Sequence, residues 1–256
     1  MVAIGATVAC TAPTFDGRIE RFSFSSGDVM DRFAVDVFLP ANDTNTGFRA
    51  LYVLDGTEHA ETVAMLVQTQ GYPVAVVGVG YESDRAKRRV LDYTPTEDDQ
   101  YEQSGGADTF VAFLAEDLIP FMEASFPIAR RKRALFGHAL GGLAATHIAL
   151  TQDEHEPLFD AFVAASPALW WDRGAILDTE AAHLKSGSAL DFRLFIATGE
   201  MEPVTVLAYA DALVARLRER ADPALSLVYL QYEDSPRNRT WRRTYTDALS
   251  LLYEDN

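Results

Sequence analysis

The chain has 256 residues, a formal net charge of −16 at pH 7 and a hydrophobic content of 48%. This composition supports a large buried core, and the charge argues against binding to nucleic acid or to anionic membrane surfaces. No stretch approaches the roughly 18 consecutive apolar residues of a membrane-spanning helix, and the length suits a single α/β domain over residues 1–256.

The amino terminus and the cysteine content bear on the compartment. The first ten residues are apolar but lack a basic segment, so we expect no secretory signal. Cys10 is the only cysteine, so it has no internal disulfide partner. A chain without disulfides suits a reducing compartment, and we expect a cytoplasmic protein.

The first half of the chain alternates predicted strands and helices. It opens with a predicted antiparallel hairpin, Arg18–Phe24 and Arg32–Leu39, because both segments alternate polar and apolar residues around a turn at residues 25–28. Two buried strands and two helices are predicted next: strands Phe48–Leu54 and Pro73–Gly80, helix Glu61–Gln70, and a helix that ends near Phe126 with Asp108 as its N-cap. Residues 82–107 are charged and rich in turns, so we expect a long loop that builds a pocket.

Four further strand–helix units follow a basic run, Arg130–Arg133, that is predicted to be a solvated turn. The predicted strands are Arg133–Gly137, Ala161–Ala165, Phe192–Ala197 and Leu225–Tyr232. The predicted helices are Leu140–Leu150, Ala175–Leu184, Val204–Arg220 and Trp241–Leu252. This order predicts an α/β fold with a mostly parallel eight-stranded sheet, an antiparallel N-terminal hairpin and helices on both faces.

The junction between the strand that ends at Gly137 and the following helix has an unusual pattern. It reads Gly137-His138-Ala139-Leu140-Gly141. In the pattern G-x-S-x-G the central residue occupies a sharp, strained turn, and the glycines let strand and helix pass closely. The sequence therefore predicts a nucleophile elbow of the usual shape, with alanine at the nucleophile position.

Together with this junction, several segments resemble the bacterial putative-esterase family of α/β-hydrolases, which includes enterochelin-type siderophore esterases. They occur in the family's order: Leu51–Gly56 with His59, Asp92–Pro95, Gly105–Asp108 leading to Leu118–Phe121, the junction itself, Ala165–Trp171 and Thr198–Glu202. The resemblance implies an α/β-hydrolase fold, no cofactor, and a Ser–acid–His triad that hydrolyses esters.

Two departures from the family pattern remove that triad. Ala139 has no group that attacks a carbonyl, and loss of such a serine costs on the order of a million-fold in rate. The triad histidine belongs in the loop after the last strand, but Glu233–Thr240 contains none. All five histidines come earlier in the chain: His59, His138, His147, His155 and His183. We therefore expect no serine-type ester hydrolysis.

The resemblance also assigns the backbone donors of an oxyanion hole. The N–H of Leu140 would supply one half, and Gly56 and Thr57 would supply the other. These donors are independent of side chains, so a polar pocket is expected to persist.

Other side chains are placed at this pocket or beside it. His59, His138, Trp170 and Trp171 are its predicted lining, although core packing explains one of the tryptophans equally well. Glu202, in preference to Glu200, stands at the family's acid position; without a histidine to orient, we expect it to bind water or an arginine. His147 is expected to be structural. No Cys or His pattern has metal-ligand spacing, so no metal site is predicted.

A basic cluster occupies the segment where the triad histidine belongs: Arg237, Arg239, Arg242 and Arg243. Surface ion pairs with neighbouring acids are one interpretation. The other is an anion site that holds a carboxylate or phosphate in place of the catalytic centre.

Three hypotheses for the function remain open, and the missing triad favours the first. The chain is an inactive homologue that binds a small molecule, such as an ester or carboxylate, or a partner protein. Alternatively, it is an esterase whose serine was engineered to Ala139 or whose base is unrecognised. Finally, it is a non-hydrolytic enzyme, such as a cyclase or lyase, that reuses the pocket.

Overall fold

The computed structural model describes residues 14–25, 32–41, 46–233, 235 and 237–253, without the side chains of residues 237 and 238. Cys10 and most of the first predicted turn lie outside these residues. Eight strands form one sheet in the order β1-β2-β4-β3-β5-β6-β7-β8. The strands are β1 Arg18–Ser25, β2 Arg32–Leu39, β3 Phe48–Leu54, β4 Val74–Tyr81, β5 Ile128–His138, β6 Ala161–Ala165, β7 Arg193–Gly199 and β8 Ser226–Tyr232.

The strand directions confirm the predicted fold class. β1 pairs antiparallel with β2, and β2 pairs antiparallel with β4. Every other neighbouring pair is parallel. The carboxyl ends of β3, β5, β6 and β7 therefore meet at one edge of the sheet, and their amino ends meet at the opposite edge.

Helices cover both faces of this sheet, because the parallel strands are apolar on both sides. α1 and α8 share one apolar cluster with the sheet, and the other cluster takes in α3, α5, α6 and α7. The helices are α1 Gly56–Thr69, α2 Arg85–Tyr93, α3 Ala107–Ala112, α4 Ile119–Ser125, α5 Leu140–Thr151, α6 Ile176–Ser186, α7 Val204–Arg220 and α8 Arg237–Tyr253.

The predicted loop at residues 82–107 is partly wrong, because α2 lies inside it. α2 is rich in arginine and lysine and buries only Asp92 and Tyr93 at its end. The helix is short and mostly charged, so its sequence resembles a charged loop although its few apolar residues share one face.

The helix predicted from Asp108 to Phe126 forms as three joined segments. Asp108 is not its N-cap: Gly106 occupies that position, and the Asp108 carboxylate lies 2.9 Å from Nε2 of His147. A π-helical segment, Phe113–Leu118, joins α3 to α4. Pro120 follows it and has no N–H for a helical hydrogen bond, which favours such a local widening.

The basic run before the elbow lies within β5 instead of in a turn. Phe48 pairs with Ile128 and Ala50 pairs with Arg133, so β3 advances by two residues while β5 advances by five. The extra residues form a wide bulge, and Lys132 within it has a left-handed φ of 66°. This bulge explains why a polar, turn-like sequence occurs inside a strand.

Candidate functional site

Ala139 lies at the carboxyl end of β5 with the strained backbone of a nucleophile elbow. Its φ is 57° and its ψ is −114°. Its N–H donates to the carbonyl of Ala165 at 3.0 Å, and its own carbonyl accepts from the N–H groups of Leu143 and Ala168. The residue is half-buried, so the position that a nucleophile would occupy remains accessible.

The two glycines of the elbow contribute unequally to its shape. A Cβ on Gly137 would lie 2.0 Å from the carbonyl oxygen of Gly141, which is a backbone clash. A Cβ on Gly141 would meet the Cβ of Leu54 at 3.3 Å, which is tight but does not touch backbone. Gly137 is therefore the residue on which the crossing of β5 and α5 depends.

Two helix amino termini lie next to each other at this edge of the sheet. Leu140 is the first residue of α5, and Gly56 and Thr57 are the first residues of α1. The first N–H groups of a helix have no acceptor within it. Because β3 and β5 are neighbours, the two helix starts follow adjacent strand ends. The oxyanion hole itself stays a prediction.

A buried carboxylate, which the sequence patterns did not indicate, lies beside these termini. Asp55 is fully buried; its Oδ1 accepts from Nε of Arg89 at 2.6 Å and lies 3.6 Å from Nε of Arg85. Its Oδ2 has no hydrogen-bond partner among the described residues and lies 3.6 Å from where a Cβ on Gly141 would be. Two features of the sequence agree with this buried ion pair: Asp55 directly follows β3, and the arginines of α2 recur at helical spacing.

His59 lies in an aromatic cluster instead of in an open pocket. It is 3% exposed, and its ring centroid lies 4.5 Å from that of Trp241 and 5.7 Å from that of His138. Burial lowers the pKa of His59, with Asp55 opposing the shift. His138 itself is half-buried beside Ala139.

Glu202 was expected to bind water or an arginine; within the described residues it pairs with Ser166 and not with an arginine. Its Oε1 accepts from the hydroxyl of Ser166 and from the N–H of Gly199, both at 2.6 Å. Ser166 follows β6 with a φ of 45°, and Glu202 follows the neighbouring strand β7. Both residues are buried, so the family's acid position is engaged in an internal contact.

The two tryptophans differ in their surroundings. Trp171 is 1% exposed, and its indole N–H donates to the carbonyl of Thr96. Its ring centroid lies 4.7 Å from that of Tyr101. Trp171 therefore packs in the core and contacts the loop after α2 instead of lining a pocket. Trp170 is half-buried.

That loop does line a cavity, of about 490 Å³. Its lining residues are Leu91, Glu97, Asp98, Asp99, Tyr101, Glu102, Gln103 and Ser104. Ala139 does not line this cavity, so the cavity and the elbow are separate features.

The arginine cluster lies on α8, which begins at Arg237, four residues earlier than predicted. The side chain of Arg237 lies outside the described residues. Arg239 and Arg242 are exposed, and the guanidinium of Arg243 lies 4.3 Å from the ring centroid of Tyr232. The described contacts give Arg243 an aromatic partner, and the anion site stays a prediction.

Neither a metal centre nor a membrane span is found in the described ranges. There, no group of three or more His, Cys, Asp and Glu side chains is arranged to hold a metal ion. No helix in the same ranges combines the length and apolar character needed to cross a bilayer.

Known proteins resemble this chain in sequence and in fold. The sequence profile of a family described as Putative esterase matches residues 26–222. A siderophore enterobactin esterase of Emericella nidulans is 37% identical over 168 residues, which is 57% of this chain and 54% of that protein. The ferri-bacillibactin esterase BesA of Bacillus subtilis is 29% identical over 178 residues, 61% of each chain.

These alignments span between about half and three fifths of the relatives' lengths. The fold likeness extends further: the crystal structure of the BES protein from Bacillus cereus superposes with a TM-score of 0.81. The superposition covers 98% of this chain and 99% of that one at 23% identity. It supports the same fold over nearly the whole chain.

Proposed function

The chain belongs to the putative esterase family, and on this premise we propose that it is a non-hydrolytic member that binds an ester ligand at its elbow. The single observation that carries the proposal is Ala139, which occupies the strained position of the nucleophile without a nucleophilic group. Serine-type ester hydrolysis needs a serine hydroxyl and a base that activates it, and the two groups act as a unit.

The other two members of a triad are also unsuited to catalysis. No histidine occurs after His183 in the sequence, so the segment after β8 has no histidine to act as the triad base. Glu202, at the acid position, already accepts hydrogen bonds from Ser166 and Gly199. The proposal therefore does not rest on one substitution alone.

The features that remain favour binding of a carbonyl-rich ligand. The N–H groups at the starts of α1 and α5 are directed by the backbone, and alanine at position 139 leaves them in place. Helix amino termini also favour electronegative atoms. The two relatives described above are named as a siderophore enterobactin esterase and a ferri-bacillibactin esterase, so we propose an ester siderophore as the ligand.

Tryptophan fluorescence and product analysis with enterobactin test the proposal. The expected result is saturable binding, with no ring-opened product above a heat-killed control after hours of incubation. Turnover above that control would contradict the proposal.

A matched pair of variants locates the binding. Ala139→Phe fills the elbow and is expected to weaken binding at least about tenfold, because it blocks access to the helix termini. Ala221→Phe is the control, since Ala221 also has a positive φ, of 50°, but lies exposed at the end of α7. Equal binding by both variants would place the ligand away from the elbow.

A further inference from the structure

A second cavity, of about 320 Å³, lies at the amino edge of the sheet. Its charged and aromatic lining consists of Arg49, Lys132, Arg133, Asp160, Arg193 and Tyr253. These residues lie near the amino ends of the neighbouring strands β3, β5, β6 and β7 and at the end of α8. The lining residue of β5 nearest to the elbow, Ala134, precedes Ala139 by five residues, or about 17 Å at the rise of a strand.

The lining is strongly cationic in a chain that is acidic overall. It contains four arginine or lysine side chains and one carboxylate, whereas the whole chain has 22 basic and 38 acidic residues. The one carboxylate belongs to Asp160, and its Oδ2 already accepts a hydrogen bond from the backbone N–H of Arg133 at 2.9 Å.

Of the four cationic side chains that line the cavity, only Arg133 forms an ion pair within the described residues. Arg133 donates to the carbonyl of Leu158 and forms an ion pair with Glu123. For Arg49, Lys132 and Arg193, the described ranges contain no ion pair with a carboxylate.

Neutral contacts hold two of these three cations at the cavity. The guanidinium of Arg49 lies 5.5 Å from the ring centroid of Tyr253. Arg193 donates one N–H to the carbonyl of Leu252 at 3.1 Å. Each guanidinium has five N–H donors, so most of them remain available while the side chain is already ordered.

Lys132 is placed at the cavity by strained backbone. It lies in the β5 bulge with a φ of 66°, a conformation that favours glycine. Strain at a residue that lines a cavity is a pointer to function, because the fold does not require lysine there.

We propose that the amino-edge cavity binds a small multivalent oxyanion, either a phosphorylated or a polycarboxylate metabolite. Two ordered guanidinium groups suit planar, bidentate contacts with such groups, and Lys132 adds a point charge. The volume suits a small ligand. This site is independent of the elbow and of the ligand proposed there.

Isothermal titration of the full chain with pyrophosphate and, separately, with citrate tests the proposal at low salt. Saturable binding of either probe supports it, and the preferred probe identifies the ligand as phosphorylated or carboxylate. Lys132→Gln and Arg193→Gln are each expected to weaken binding at least about tenfold, because each removes charge-assisted contacts. Arg131→Gln is the control, since Arg131 is exposed on the same bulge but does not line the cavity.

A second variant separates ligand binding from folding. Lys132→Gly removes the charge and also relieves the backbone strain, so it is expected to lose binding while its Tm is not lowered. A variant that keeps its Tm and still binds the probe at full affinity would overturn the role of Lys132.

Two further results would overturn the site itself. The first is no saturable binding of either probe, and the second is equal weakening by Arg131→Gln and Lys132→Gln.

Discussion

The two edges of the parallel sheet present opposite situations. At the carboxyl edge, the elbow at Ala139 has the backbone of a catalytic centre without its nucleophile. At the amino edge, Arg49, Lys132 and Arg193 are charged side chains without carboxylate partners in the described ranges. One edge has binding geometry that depends on the backbone, and the other has binding chemistry that depends on side chains.

Under the proposed function, this difference separates the features of the fold that belong to the backbone from those that belong to side chains. The elbow depends on Gly137, on strand pairing and on two helix starts, all of which stabilise the domain. The side chain at position 139 is not part of that framework, because the backbone of Ala139 keeps the elbow conformation with only a methyl group. The comparison is therefore tested by changing side chains and backbone separately at each edge.

Restoring the nucleophile alone should leave activity far below that of a complete triad. Ala139→Ser is expected to hydrolyse short-chain aryl esters no more than roughly a thousand-fold faster than water, because no base activates the hydroxyl. Comparing the initial rates of this variant and of Ala139→Ser/Pro236→His measures how much the missing histidine base would contribute. The double variant is expected to be at least about a hundred-fold faster. Ordinary esterase activity in the single variant would reveal a base elsewhere.

A backbone change at the elbow should be more damaging to the fold than any side-chain change there. Gly137→Ala puts a Cβ 2.0 Å from the carbonyl oxygen of Gly141, and we expect it to cost about 3 kcal/mol or more of unfolding free energy. Urea denaturation measures the loss. Gly187→Ala is the control: its φ is +77° but no atom lies within 4 Å, so a cost of only about 1 kcal/mol is expected. Equal costs would mean that the crossing of β5 and α5 is not tight.

The contact between Ser166 and Glu202 should contribute to stability. Glu202→Ala leaves the buried Ser166 hydroxyl and the Gly199 N–H without their acceptor, and we expect a loss of about 2–4 kcal/mol. Glu202→Gln retains an acceptor oxygen and should cost about 1 kcal/mol. Thermal unfolding of both variants checks this order. If Glu202→Ala leaves the free energy of unfolding unchanged, the contact between Ser166 and Glu202 does not stabilise the fold.

The smallest expected effect concerns pH. Burial lowers the pKa of His59 below 6.5, so the unfolded chain takes up its proton first as the pH falls. The free energy of unfolding is therefore expected to decrease as the pH falls below 6.5, down to the lowered pKa. His59→Phe should reduce this slope in urea titrations between pH 7 and 5.

His183, whose pKa burial also lowers, acts with the same sign, so part of the slope should remain in His59→Phe. His155→Gln serves as the exposed control. An unchanged slope in His59→Phe would contradict the buried, neutral form of His59.

Local patterns made the elbow and most of the sheet predictable. The structure gives β3, β6 and α7 the predicted bounds, because apolar runs and helical spacing are properties of neighbouring residues. Gly137 and Gly141 identify the elbow for the same reason, since the turn spans five residues.

Contacts between distant residues were not predictable. Ser166 and Glu202 are 36 positions apart and meet only because β6 and β7 are neighbours. The β5 bulge and α2 were missed because their charged residues resemble loops, and only the pairing with β3 and the packing of Tyr93 show otherwise.

The most direct test of the non-hydrolytic account is intact-mass spectrometry after incubation with a fluorophosphonate probe, with aryl ester turnover measured in parallel. The account predicts an unchanged protein mass and turnover at the level of a heat-killed control, because Ala139 offers no activated hydroxyl. A covalent adduct on any serine, Ser166 in particular, or turnover above the control would contradict it.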